Sequence, residues 1–182
     1  MIYFTSDTHF WHSNVIKYSN RPFDNIEQMN DVLIKNWNSV VKPEDQIWHL
    51  GDFSFANQEK TKEIFSRLNG KINLVFGNHD QTLKKIANFK LYNYVESYQD
   101  YKELRVNNQL YVLMHYPLLS WNKGHYGSYH LHGHSHGTLN HLNTETRLDI
   151  GVDNFNYTPV SIEEVNNILK DKKFIPIDHH GK

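Results

Sequence analysis

Acids, imidazoles and one amide recur in short clusters along this chain: Asp7 with His9, Asp52, Asn78 with His79 and Asp80, His115, and His134 with His136. All of these side chains can ligate a divalent metal, and imidazole can also carry a proton near neutral pH. In Gly77-Asn78-His79-Asp80 three abilities stand side by side. The amide can bind a metal, the imidazole can move a proton, and the carboxylate can orient the proton carrier. Each cluster alone is ordinary turn chemistry. What lifts them above turns is where they fall.

The apolar run at 2–5 reads as a strand, and Asp7 and His9 follow it. Ile26, Met29, Leu33, Trp37 and Val40 recur at helical spacing and are stopped by Pro43. A second strand at 45–50 ends in Gly51-Asp52. Asn57 then caps a helix carrying Ile64, Phe65 and Leu68, with Gly70 placed to end it. A third strand at 72–76 delivers the Gly77 turn, and a short helix is expected at 81–88. This alternation is the rhythm of parallel crossovers, in which sites gather beyond the carboxyl ends of strands. Further on, 102–106 and 109–115 read as a hairpin about Asn107-Asn108, and 147–151 as another strand. Ser161 and Glu164 have capping-box spacing for a last helix through Leu169. Independent turns have no reason to collect acids and histidines at one rim, so a shared metal centre is the expected reading.

Composition narrows the chemistry. The chain has 182 residues, enough for one domain over 1–182, and no repeat or linker divides it. It has no cysteine, which excludes thiolate sites, yet it has 13 histidines. A net charge of -1 argues against tracking along a phosphate backbone. The first residues lack a signal-peptide pattern and no apolar run reaches the ~20 residues of a membrane span, so no membrane contact and a cytoplasmic location are expected. His179 and His180 read as a solvated tail.

Asp7-x-His9, Gly51-Asp52, Gly77-Asn78-His79-Asp80, His115 and Gly133-His134-x-His136, in this order, resemble the five signature blocks of the calcineurin-like metallophosphoesterase superfamily. The stretches 4–23 and 37–53 further resemble small, single-domain bacterial and phage members. The resemblance implies an α/β fold, a four-layer α/β/β/α sandwich of two mixed sheets flanked by helices. It also implies two divalent ions, one held by Asp7, His9 and His136, the other by Asn78, His115 and His134, with Asp52 bridging. Mn2+ is the first choice and Fe, Zn, Co or Ni are compatible. His79 would be the catalytic proton donor and Asp80 its orienting partner. Phe53-Ser54-Phe55 after Gly51-Asp52, and Asp80 in place of a glutamate, depart from the protein phosphatases of the superfamily.

The chemistry asks for the same arrangement. Two ions ~3.5–4 Å apart bind opposite sides of an in-line displacement and bring the pKa of a shared water toward neutrality. The hydroxide attacks phosphorus and an imidazole protonates the departing oxygen. His12, Asn14 and Arg21 follow the first block closely enough to touch a phosphate, although Arg21 equally suits an acid nearby. Trp121, Lys123, His125 and Tyr126 suit a stacking wall for a base, or local packing. His130 and His132 suit supporting or core positions. The leading expectation is a phosphodiesterase acting on cyclic or small nucleotides. The alternatives are a nuclease on the ends of short RNA or DNA, and a non-catalytic metal-binding scaffold.

Overall fold

The computed structural model describes residues 1–87, 91–142 and 146–176. His179 and His180, and the end of the expected helix at Asn88, lie outside them. Strands β1 (Ile2–Thr5), β2 (Gln46–His49) and β3 (Lys71–Val75) are parallel and joined through helices α1 (Ser13–Tyr18), α2 (Ile26–Val40) and α3 (Gln58–Arg67). Helix α4 (Gln81–Ala87) precedes β4 (Ser97–Gln99), which extends the sheet in parallel beside β3. The short β9 (Val160–Ser161) closes the other edge antiparallel to β1. A second sheet has the order β5 (Tyr101–Val106), β6 (Gln109–Met114), β7 (Tyr129–His132), β8 (Arg147–Asp149). Its first pair is the expected hairpin, with Asn107 left-handed at the turn, and its other pairs are parallel. Both sheets are therefore mixed. Helix α5 (Ile162–Leu169) packs along β1 and β8.

Period-two alternation sorts the side chains into layers. Phe4, Trp48, Leu50 and Val75 of the first sheet meet Tyr111, Leu113, Leu131 and Leu148 of the second, together with Val165 and Leu169 of α5. Ile47, Ile72 and Leu74 point the other way, against Met29, Leu33 and Trp37 of α2 and Ile64 and Phe65 of α3. Asn25 and Asn57 cap those helices by accepting hydrogen bonds from the N–H groups of Gln28 and Lys60 at 2.8 and 3.0 Å. The Ser161 hydroxyl caps α5 in the same way from Glu164.

The fold is thus two mixed sheets with flanking helices, as expected. On the second sheet the outer cover is the segment after β6, where Trp121 packs on His130 and on Phe174. His130 is a core group: its Nδ1 donates to the Val112 carbonyl at 3.0 Å and its Nε2 accepts from the Leu118 N–H at 3.0 Å. Burial holds it neutral, its pKa pulled down to about 3.

A candidate dinuclear metal centre

The loops leaving β1 and β2 do not separate. They continue the strand pairing through hydrogen bonds from Asp7 N to Gly51 O, His9 N to Asp52 O and Phe10 N to Phe53 O, at 3.0, 3.0 and 2.9 Å. Beneath them the Gly51 N–H donates to His49 Nδ1, so His49 Nε2 carries the proton and gives it to the Thr8 hydroxyl, which donates in turn to the Phe53 carbonyl. The Gly77 turn lies so close that a Cβ on Gly51 would sit 2.6 Å from both Gly77 N and His115 Nδ1. Gly51 is also left-handed, at φ +99°.

Two clusters result, each with ligand atoms within 4.8 Å of one another: Asp7, His9 and His136, and Asp52, His115 and His134. Asp52 joins them, its Oδ2 lying 3.6 Å from His9 Nε2 and 3.5 Å from His115 Nε2. Asn78 Oδ1 is 3.1 Å from His115 Nε2, which extends the second group to four residues. Asp7, His9, Asp52, His134 and His136 all have left-handed backbones, with φ between 46° and 68°. Such conformations cost on the order of 1 kcal/mol each for residues other than glycine. Their concentration in one rim marks a place where the chain is held for function.

The residues present fit divalent cations. Asp7 Oδ1 and both ring nitrogens of His9 are buried without a hydrogen-bond partner, an arrangement costly for a polar atom unless a cation meets it. Burial pushes the Asp7 carboxyl up to about 7 against the pull of the His115 and His136 charges, and holds the His9 imidazole well below its ordinary value. The donor set is oxygen and imidazole nitrogen. Several ring orientations are already fixed. His115 Nδ1 donates to the Leu50 carbonyl at 2.8 Å, which turns the lone pair of Nε2 toward Asp52.

Residues 1–148 match the model of the calcineurin-like phosphoesterase superfamily domain. The chain belongs to this family. It is 36% identical over 183 residues, covering 96% of this chain and 94% of the other, to the uncharacterized protein MJ1445 of Methanocaldococcus jannaschii. The gene 66 protein of mycobacteriophage L5 is 33% identical over 81 residues, which is 43% of this chain and 39% of that protein. Among solved structures, the protein of unknown function AQ665 from Aquifex aeolicus superposes with a TM-score of 0.72 at 26% identity, over 93% of this chain and 99% of that one. Family and paired clusters together support a metal-dependent phosphoesterase.

The remaining expected site residues of this family member divide. His79 is exposed at the rim, its N–H donating to Asp52 Oδ1 at 2.9 Å and its ring 5.8 Å from that of His9. His12 stands in the same wall, stacked on Phe55 at 3.7 Å, while Asn14 is exposed on α1. Asp80 corrects an expectation. Its carboxylate accepts from the N–H groups of Gly77, Asp52 and Phe53 at 2.7, 2.9 and 2.8 Å, so it pins the two turns together beneath Asp52 rather than orienting His79. Arg21 is a second correction. It is buried, paired with Asp153 through two 2.8 Å contacts, and donates to the carbonyls of Asp7 and Thr8. It therefore braces the first loop instead of meeting a phosphate.

Lys123 and His125 are displaced altogether. Tyr111 pairs with Tyr129, so the segment before β7 lies at the start of β6, and Lys123 shares a cavity there with Arg105 and Asn108. His125 packs locally against Tyr126, the rings tilted by 45°. At roughly 3.3 Å per residue, the length of β6 separates them from His115 by about 20 Å.

Two acids, Asp149 at the end of β8 and Asp153 beyond it, were missed. Asp149 accepts from the Ser135 hydroxyl and the Gly137 N–H, holding the His134–His136 loop, and Asp153 accepts from His136 Nδ1 at 2.7 Å. The signal was present, since the two acids stand on either side of Gly151, two residues from it, where β8 ends.

Proposed function

We propose that this chain is a phosphodiesterase acting on cyclic or small nucleotides, with His79 as the acid that protonates the leaving oxygen. The observation that carries the reading is the convergence of both ligand clusters and the His79 backbone on the one carboxylate of Asp52. Asp7, His9 and His136 would hold one ion and Asn78, His115 and His134 the other, with Asp52 shared. Two ions bound there would supply positive charge against the phosphoryl oxygens and an acidified water. His79, anchored through its own N–H, keeps its ring free to give a proton to the oxygen as the phosphorus–oxygen bond breaks. His12 and Phe55 form a wall beside His79, and Tyr116 stands against a different set of rings, those of His115 and His134. Both arms of a diester therefore have a place, which favours diesters over monoesters.

The test is hydrolysis by Mn2+-reconstituted protein across cyclic nucleotides, nucleoside monophosphates and nitrophenyl esters, repeated with His79→Ala. Turnover of alkyl-leaving diesters should fall by about 10²–10⁴ and that of nitrophenyl diesters far less. Equal losses would remove His79 from the acid role. Failure of every divalent metal to support hydrolysis would sink the phosphoesterase reading itself.

A further inference from the structure

A cavity of about 290 Å³ opens directly from Asn78 and His115, at the small end of the range for small-molecule pockets. We infer that, for an open-chain diester, it receives the nucleoside arm that remains on phosphorus, an inference that rests on the phosphodiesterase reading and names what that diester carries.

The side is set by His79. An acid must stand by the oxygen that leaves, and the His79 ring keeps company with His9, Phe55 and His12, at 5.8, 4.8 and 6.3 Å. The leaving group belongs on that flank. None of His79, His9, His12 and Phe55 lines the cavity, which runs between Tyr116 and the start of α4 and so falls to the retained group.

Its walls decide what that group is. Tyr116 is 40% exposed and is held edge-on by two imidazoles, His115 at 5.1 Å and 72° and His134 at 4.8 Å and 65°. It offers an aromatic surface in a fixed orientation beside the second ligand cluster. Phe76 and Met114 add apolar floor. The polar lining has both senses: the Gln81 amide donates and accepts, Lys84 donates, and the Asp100 carboxylate accepts. Lys84 Nζ lies 3.2 Å from Asp100 Oδ1, so its charge is locally balanced and a second phosphate would meet an acid with it. An alkyl arm would leave the polar groups unmatched. A flat ring edged with donors and acceptors matches ring face and polar rim together, which is the description of a nucleobase on its sugar.

Thymidine 5′-(4-nitrophenyl) phosphate and ethyl 4-nitrophenyl phosphate share a leaving group and differ in the retained arm. With Mn2+-loaded wild type, KM should be about tenfold or more lower for the thymidine ester, and Tyr116→Ala should erase most of that ratio, as expected for one lost base-stacking partner. Gln81→Ala should lower the ratio by a smaller factor. Equal KM values in wild type, or losses in Tyr116→Ala shared equally by both esters, would overturn the assignment. Should neither ester be hydrolysed, calorimetric titration with thymidine 5′-monophosphate separates the two claims. Binding that weakens about tenfold in Tyr116→Ala supports the cavity while the phosphodiesterase reading falls; no binding removes both. Tighter binding of inorganic pyrophosphate, weakened by Lys84→Ala and not by Tyr116→Ala, would make the cavity an anion site and refute the nucleoside assignment.

Discussion

His136 Nδ1 lies 2.7 Å from Asp153 Oδ2, and the carboxylate that receives it is gripped on both oxygens by the buried guanidinium of Arg21. Burial alone would pull the His136 imidazole down, but the Asp153 hydrogen bond and the Asp7 charge carry it above its ordinary value. Burial would likewise raise Asp153, and its bonds from His136 and Arg21 keep it low instead. The pair leaves His136 Nε2 turned toward Asp7 Oδ1, 3.9 Å away. A histidine so held is a more basic and better oriented ligand.

Asp153→Asn keeps the shape and removes the charge. We expect one of two Mn2+ equivalents to bind about 10–100-fold more weakly, read by calorimetric titration of chelator-stripped protein. Two unchanged binding events would deny Asp153 this influence.

Arg21→Ala should act differently, because it leaves the largely covered Asp153 with His136 but without the guanidinium that holds both its oxygens, and frees the carbonyls of Asp7 and Thr8. A loss of about 3–5 kcal/mol in urea-unfolding stability is expected, larger than any change in substrate KM per unit of folded protein. A stable variant with a raised KM would restore Arg21 to the substrate.

Ion binding should stabilise the fold, since it engages Asp7 and His9 atoms that otherwise lie buried without partners. At Mn2+ about 100-fold above its dissociation constant the gain is about 2.7 kcal/mol, or a rise of roughly 5–11 °C in melting temperature. Asp52→Asn should abolish most of the rise. An equal rise in that variant would place the ions elsewhere.

His49 and His130 are buried and neutral, each with its pKa drawn down to about 3 by burial. In the unfolded chain an imidazole takes up its proton near pH 6.5, so between 6.5 and 3 the unfolded state binds more protons and stability falls as pH is lowered. Each residue contributes a slope of about 1.4 kcal/mol per pH unit in that window. His49→Gln, which can still donate to Thr8, should flatten the slope by about one proton in unfolding titrations at pH 6 and 4.5 with chelator present. An unchanged slope would mean that His49 is charged in the folded chain.

Where a side chain's neighbours are its own strand or helix, the sequence was readable. The apolar spacing from Ile26 to Val40, the caps at Asn57 and Ser161 and the hairpin at Asn107-Asn108 all depend on local geometry. The rim clusters were legible for the same reason, because a strand end fixes where its next residues go. Direction within a loop was not. Asp80 turns inward because three N–H groups from two turns converge on it, two of them 28 and 27 residues away in sequence. Arg21 turns toward an acid 132 residues away. Lys123 and His125 went to the wrong end because the segment after β6 runs back along the sheet before β7 begins. The edge strands β4 and β9 are too short for period-two alternation to announce them.

The candidate ligands are drawn from both sheets. Asp7, His9, Asp52 and Asn78 hang from the first, and His115, His134 and His136 from the second. Each ion would then be a rivet through both leaves of the sandwich at one end, while among the described residues the far end around Asn108 and Lys123 has no such cluster of ligands. Loading the centre would clamp one mouth of the molecule and leave the other free to breathe, so amide exchange should slow in a gradient along β6, steepest at Met114 and fading toward Gln109.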